Sequence, residues 1–403
     1  ESRFVLPAGN YNIKLSREGY RDWSKSVNLK ASTVENLYYA LLVPEKINSK
    51  NLLKINKPEV IVQSPNRKKI FVYSSKKTNP EIILINKNQA KLQSLELPNT
   101  LMRRGGSLGN IKPIMWSKND SKVLANQTVG GQSRVILIDV NRPSDSLDLN
   151  VIFPGLAIFE PSFAGESNSI IYGLQKNTLV RLDIERRKSS SVLKDVQSYD
   201  SSTKDVVSFV RLNNKKQKIE AGLLIKDKII IVHTGPLKPT NKSGEATYGE
   251  FGGASYFTVQ FEGEKQATIY KDPQAEPILE SQLPYSLLKS SNLGKISKSP
   301  DGHFILISNP DRLAVYDLTY ARRFYFATPK GFTFVSWADA HHLLFKDQKN
   351  KYYVTDFDGK NKYSLVTSQL GQLMFSDDYK SSFTFNSVSG SVVMQSNNML
   401  AVN

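Results

Sequence analysis

The stretch KISKSPDGHFILISNPDRLAVYDLTYARRFYFATP, residues 295–329, carries the pattern on which the fold turns. An apolar strand runs into Ser299-Pro300-Asp301-Gly302, a second apolar strand follows, and a third ends at Asp317. The turn has a local cause. Asp binds the backbone of its own turn and Gly accepts positive φ, so two neighbouring strands are joined tightly. The same succession recurs at 60–97, 113–149, 158–193, 332–368 and 372–403, with Ser64-Pro65-Asn66 echoing the turn. Third strands centre near Ile85, Ile138, Leu182, Ile231, Ile269, Tyr316, Thr355 and Met394. Their spacing is roughly 44 residues, the length of one four-stranded repeat unit.

A lone four-stranded sheet cannot bury both of its faces, so closure into a ring supplies the core. The expected fold is therefore all-β, a seven- or eight-bladed β-propeller. Six copies are firm; the blurrier region 200–290, with VVSFVRLN, IEAGLLIKD, IIIVHTG and YFTVQFEG, adds one or two. An open stack of sheets, or two β-sandwiches, is the alternative. The Ser-Pro-Asp-Gly turn resembles that of TolB-type and WD40-like propellers, in which a large residue before the turn packs between neighbours; Trp116 and Trp337 hold that place. NLLKIN at 51–56 is placed to pair near the C-terminal strand and close the ring.

The first 45 residues read differently. Tyr11, Ile13 and Leu15 alternate against Asn12 and Lys14, Val27 and Leu29 share a face, and Leu37–Val43 is apolar before Pro44, which predicts a three-strand meander. Such a piece is too small to bury a core alone. Pro7, Gly9, Tyr11, Gly19, Tyr20, Trp23 and Leu41 to Pro44 resemble the second half of a PEGA domain, a small β-sandwich module common in bacterial envelope proteins. The expected organisation is a partial PEGA-like β-sandwich module at 1–45, a linker or ring-closing strand at 46–55, and the β-propeller at 56–403. The family's first half is missing or shrunk to residues 1–6, and the chain begins with Glu, so a processed chain whose upstream anchor is absent is expected.

Composition supports thin β layers. The chain has 19 Phe and 18 Tyr in 403 residues and only a modest apolar fraction of 39%. No cysteine is present, which excludes disulfides, Cys-ligated zinc, Fe–S clusters and thiol nucleophiles. No apolar run reaches the length of about 18 residues that a spanning helix needs, and no signal peptide is evident. The formal charge of +17 points to an anionic neighbour or to a basic, soluble surface. Its lysines are dispersed and interleaved with 37 acidic residues, which argues against a dedicated nucleic-acid groove.

Catalytic motifs are missing from the sequence: there is no G-x-S-x-G elbow, Walker loop or dinucleotide fingerprint. Of the histidines His233, His303, His341 and His342, the adjacent pair points to opposite faces of a strand and cannot serve one metal. A structural or solvated role is expected for all four, with no metal and no cofactor. DFDGKN at 356–361 begins like a Ca²⁺ loop but lacks the closing Glu, and reads as a hairpin turn.

Two loops longer than blade connections require, 98–110 and 235–254, are the expected interaction elements. They contain Arg103, Arg104, Tyr248 and Phe251, and the other basic spots are Arg186-Arg187-Lys188 and Arg322-Arg323. The expected function is a non-enzymatic, envelope-associated scaffold, extracytoplasmic and membrane-held only through the missing anchor. Its propeller loops would meet a protein, a wall glycan or an anionic polymer. A propeller enzyme acting on polysaccharide, with acids gathered at one channel mouth, is one alternative. A polyanion binder is the other.

Overall fold

The computed structural model describes residues 4–77, 79–86, 89–102, 109–238, 242–274, 285–290 and 293–400. Eight four-stranded antiparallel sheets follow one another around a ring, with one two-stranded hairpin outside them. The structure thus resolves the choice between seven and eight blades. Blade 1 is built from Val60–Gln63, Lys69–Tyr73, Glu81–Asn86 and Gln89–Ser94. Blades 2 and 3 occupy residues 110–148 and 159–193. The blurred region supplies two complete blades, blade 4 at 196–236 and blade 5 at 244–289. Blade 6 is Lys295–Lys298, Phe304–Ser308, Arg312–Asp317 and Arg322–Ala327, and blade 7 is Phe332–Trp337, His342–Asp347, Lys351–Asp356 and Tyr363–Thr367. Blade 8 takes Leu370–Phe375, Ser381–Val388 and Ser391–Asn398 from the C-terminus and its outer strand, Ser49–Ile55, from the other end of the ring.

The turn chemistry repeats at atomic detail. Ser299 Oγ donates to Asp301 Oδ1 at 2.6 Å and accepts from the Phe304 amide at 2.9 Å. Ser117 does the same with Asn119 (2.8 Å) and the Lys122 amide (2.9 Å), and Ser376 with Asp378 (2.7 Å) and the Ser381 amide (3.0 Å). One hydroxyl thus serves both arms of the turn between a blade's first two strands, which is why the Ser-x-Asx signature shows in the sequence. Acids closing third strands act similarly. Asp139 Oδ1 accepts from the Asn141 and Arg142 amides, and Asp317 Oδ1 from those of Thr319 and Tyr320.

Eight buried apolar clusters fill the eight gaps between adjacent blades. Two of them take in residues from the N-terminal segment: Trp23 and Tyr39 join the core between blades 6 and 7, and Val43 joins that between blades 7 and 8. The hairpin itself pairs Gly9–Leu15 with Trp23–Leu29, and Gly19, at φ 76°, turns the chain between them.

Three expectations are corrected. Leu37–Val43 forms no strand; all its side chains except that of the exposed Tyr38 enter the propeller cores instead, because both of its faces are apolar and a two-stranded hairpin offers only one surface to cover. Ile231 belongs to the fourth strand of blade 4, Lys228–Pro236, since two long hairpins of eight- and nine-residue strands shift the period there. Much of 235–254 is strand: Gly244–Phe251 is the first strand of blade 5, joined to Ala254–Phe261 through Gly252 and Gly253, both at positive φ as a two-residue hairpin turn requires. Among the described residues no helix is long and apolar enough to cross a membrane.

Candidate functional site

Trp23 opens the second strand of the hairpin and is fully buried (0% exposed). Its indole N–H donates to Asp356 Oδ2 at 3.0 Å. Asp356 ends the third strand of blade 7, where blades 2 and 6 place an acid that caps its own turn. Here the acid instead reaches the hairpin, and Asn361 Nδ2 donates to the same oxygen at 2.7 Å. Further bonds flank this anchor. Arg21 Nη1 donates to the Ser364 carbonyl at 2.8 Å, Tyr363 Oη to the Asp22 carbonyl at 2.6 Å, and Lys25 pairs with Asp358. Arg322 grips Glu35 with both terminal nitrogens, at 2.9 and 3.1 Å. Polar bonds and shared cores together hold the hairpin on the face formed by the first-to-second and third-to-fourth strand turns of blades 6 and 7.

This anchor is sensitive to pH. Burial pushes the Asp356 carboxyl up from 3.8 to about 6; the nearby Asp358 carboxylate adds to this, while Asn361, His342 and Trp23 oppose it. His342 is also held above its ordinary value: burial works against its charge, but the hydrogen bond and charge of Asp339, together with the Asp356 carboxylate and a bond to the Tyr39 backbone, outweigh burial. A carboxyl raised in the folded state contributes stability that is full below its unfolded value and lost as pH rises through about 6. A raised histidine acts in the same direction. Wild type is therefore expected to gain on Asp356→Asn as pH falls from 7 to 4, by up to roughly 3 kcal/mol for a two-unit shift. Paired thermal melts across that range measure it, and a pH-independent difference would show that Asp356 is not a raised acid.

Between the hairpin, its apolar tail and blades 6 and 7 lies a cleft of about 580 Å³. Tyr38, Tyr320 and Tyr325 line it together with Lys30, Arg323 and Lys360. Tyr38 is 64% exposed and Tyr325 43%, so both offer ring faces to a ligand. Arg323 donates to Ser286 Oγ at 2.9 Å. His303 and His341 also line the cleft. His303 Nε2 lies 2.9 Å from Asp317 Oδ1, and its ring stacks on Phe251 and Phe304 with centroids 4.7 and 4.1 Å away. His341 is half-buried beneath Tyr38 and Tyr39, at centroid distances of 5.0 and 6.1 Å. Burial lowers its pKa, against the nearby Asp301 and Asp339 carboxylates, so it is neutral near pH 7. His342 is buried and hydrogen-bonded through Nδ1 to Asp339 at 2.8 Å, and His233 Nδ1 meets Tyr270 Oη at 2.7 Å.

The candidates read from the sequence therefore scatter. Arg322 and Arg323 line the cleft. Arg186, Arg187 and Lys188 are exposed at the third-to-fourth strand turn of blade 3, elsewhere on the ring. Tyr248 lies inside the core between blades 4 and 5 (2% exposed), and Phe251 is a strand residue stacked on His303. Arg103 and Arg104 fall outside the described residues. The sequence reading did not connect His303 with His341. A signal was present: Asp-x-His occurs at 301–303 and at 339–341, the same turn position in adjacent blades.

A second cavity, of about 360 Å³, lies where the first strands of blades 4, 5 and 6 carry Asp200, Glu245 and Lys298. Burial raises Glu245, against the nearby Lys295, and lowers Lys298, against the nearby Asp200. Thr247 Oγ1 donates to Asp200 Oδ2 at 2.5 Å, Lys298 Nζ stands 3.9 Å from that oxygen, and Lys298 also donates to the Tyr248 carbonyl.

Comparison with known families places the hairpin and its tail. Residues 3–43 match the PEGA domain. The PEGA segment thus includes Trp23, Tyr38, Tyr39 and Val43, the residues that enter the propeller cores or roof the cleft. No match to the chain was found among curated proteins. Among solved structures it is similar to dipeptidyl peptidase 4 of Porphyromonas gingivalis, at 13% identity and a TM-score of 0.51, over 83% of this chain and 57% of that one. BamB of Moraxella catarrhalis aligns at 10% identity and a TM-score of 0.48, over 86% of this chain and 99% of that one. An oligogalacturonate lyase in complex with manganese aligns at 10% identity and a TM-score of 0.46, over 88% and 98%. At such identities the likeness is one of fold, and this fold serves proteins of differing activity.

Proposed function

We propose that the protein is a non-enzymatic scaffold of the cell envelope, outside the cytoplasm, and that it binds a protein or an acidic wall glycan in the cleft between its PEGA segment and blades 6 and 7. One observation carries the reading: the PEGA segment is docked by a buried tryptophan, and what remains open beside it is a concave surface of exposed tyrosines and cations. Tyrosine faces pack on sugar rings and on apolar side chains with little entropy to lose, and the cations select acidic groups. The PEGA match supports the envelope location, since the module is common there.

The test is retention on isolated envelope material, with duplex DNA as control, at low and high salt. Wild type is expected to stay on the envelope at high salt, and a Tyr38→Ala/Tyr325→Ala double variant to be released. Equal loss from both matrices as salt rises would mean that the +17 charge alone did the binding, and the reading would fall. An enzyme acting on polysaccharide is the second reading, favoured by the channel cavity with its two acids. Against it, Asp200 is committed to Thr247 and Lys298.

A further inference from the structure

We propose that Asp301, His303 and His341 form a binding site for a divalent transition-metal ion at the edge of the cleft, which His303 and His341 line, zinc being the ion that its donor set suits. One ligand atom from each residue lies within 4.8 Å of the others. Ligand bonds of about 2.0–2.2 Å to one central ion place donor atoms roughly 3–4 Å apart, so a small inward movement closes the set.

The three residues come from two blades. Asp301 sits in the first turn of blade 6 and His303 just after it, while His341 comes from the equivalent turn of blade 7. Asp301 Oδ1 is used by its turn, accepting from Ser299 Oγ at 2.6 Å and the His303 amide at 3.1 Å, which leaves Oδ2 for an ion. An imidazole that donates its Nε2–H to the Asp317 carboxylate keeps a lone pair on Nδ1, the orientation that a carboxylate behind a metal-bound histidine enforces. Asp317 is itself pinned by two backbone amides, at 2.9 and 3.0 Å.

His341 supplies the independent observation. Its Nε2 is buried and has no hydrogen-bond partner. A buried polar nitrogen left unpaired costs on the order of 1–3 kcal/mol, and a metal bond would remove that cost. Two imidazoles and one carboxylate are borderline donors that favour zinc over magnesium or calcium, which take oxygen sets. Asp301 is exposed, so a fourth position faces solvent and can take water or an oxygen from a cleft ligand. The site stands on its own geometry, independent of what the cleft binds.

The test is calorimetric titration of the tag-free full chain with Zn²⁺, beside His341→Gln, Asp301→Asn and His233→Gln variants. Asp301→Asn preserves the fold, because blades 1 and 2 use Asn66 and Asn119 at this turn position. One Zn²⁺ per chain is expected, bound about 100-fold or more weakly by His341→Gln and Asp301→Asn, beyond the roughly 10–100-fold cost of losing only an outer partner. His233→Gln should bind as wild type does, since His233 lies on blade 4. A melting temperature that rises with Zn²⁺ in wild type but not in His341→Gln is the matching stability readout. No uptake at one equivalent, or uptake unchanged in both ligand variants, overturns the assignment.

Discussion

Deletion of residues 1–56 is expected to abolish the cooperative folding of the whole ring, although most of the propeller sequence would remain. Ser49–Ile55 is the outer strand of blade 8 and pairs with Ser391–Asn398 from Ser49↔Asn397 to Ile55↔Val392. Ile55, 1% exposed, packs with Val392 and Met394 in the core between blades 8 and 1. Its burial contributes about 1.5–3 kcal/mol, and each lost ladder bond removes roughly 0.5–1.5 kcal/mol more. The sum exceeds about 5 kcal/mol, which reaches the total stability of an ordinary domain. The deletion would also bare the last strand as a long unpaired edge, a template for association with other chains. Aggregation in size-exclusion chromatography and loss of a sharp melt are the expected results. A chain starting at residue 47 keeps the strand and should melt cooperatively at a lower temperature. If the chain lacking residues 1–56 stays monomeric with an unchanged melt, ring closure does not depend on this strand.

Trp23→Ala is expected to release the PEGA hairpin from the propeller. The indole is fully buried, meets Tyr39 edge-on at 5.8 Å, and hydrogen-bonds Asp356. Truncation of a buried aromatic of this size costs about 3–5 kcal/mol, and the variant also strips Asp356 of one of its two donors to Oδ2. The hairpin has few resources of its own. Of its strand residues only Trp23 is buried, and two strands alone are marginal in water. Amide exchange should therefore become fast across Gly9–Leu15 and Trp23–Leu29 while blades 1 to 5 keep their protection. Trp23→Phe keeps a ring in the core but not the donor, and should fall between the two. Unchanged exchange in the hairpin of Trp23→Ala would mean that the flanking bonds, Arg21 to Ser364 and Lys25 to Asp358, are sufficient to hold it.

Both outcomes bear on the cleft. Its roof is the PEGA segment, so a released hairpin loses the cleft, while an opened ring loses the blades beneath it. Retention on envelope material should fail in both variants but survive Asp356→Asn at neutral pH, where a neutral side chain replaces a buried anion without removing the acceptor for Trp23.

Much of the fold could be read along the chain because its causes are local. A Ser-x-Asx turn is closed by atoms within five residues, as in Ser299 with Asp301 and Phe304, and an acid at the end of a third strand caps amides two and three residues on. These signatures mark where strands begin and end, and their period marks a ring of blades. They weaken where the turns do not use them, as in blades 4 and 5, and there the count of seven or eight stayed open. The candidate site was less legible. The sequence singled out Arg322 and Arg323, which line the cleft, yet placed Tyr248 on a loop, because alternation along Gly244–Phe251 is masked by its glycines and polar residues.

By itself, then, the sequence determined the blade unit, its turns, the PEGA segment and the absence of thiol chemistry, all set by residues near one another in the chain. Tertiary structure alone decided the number of blades, the entry of Leu37–Val43 into two propeller cores, the bond from Trp23 to Asp356 and the meeting of His303 with His341. The last two join residues 333 and 38 positions apart. Such contacts form only once the ring closes and fixes which turns are neighbours, and no local propensity encodes that.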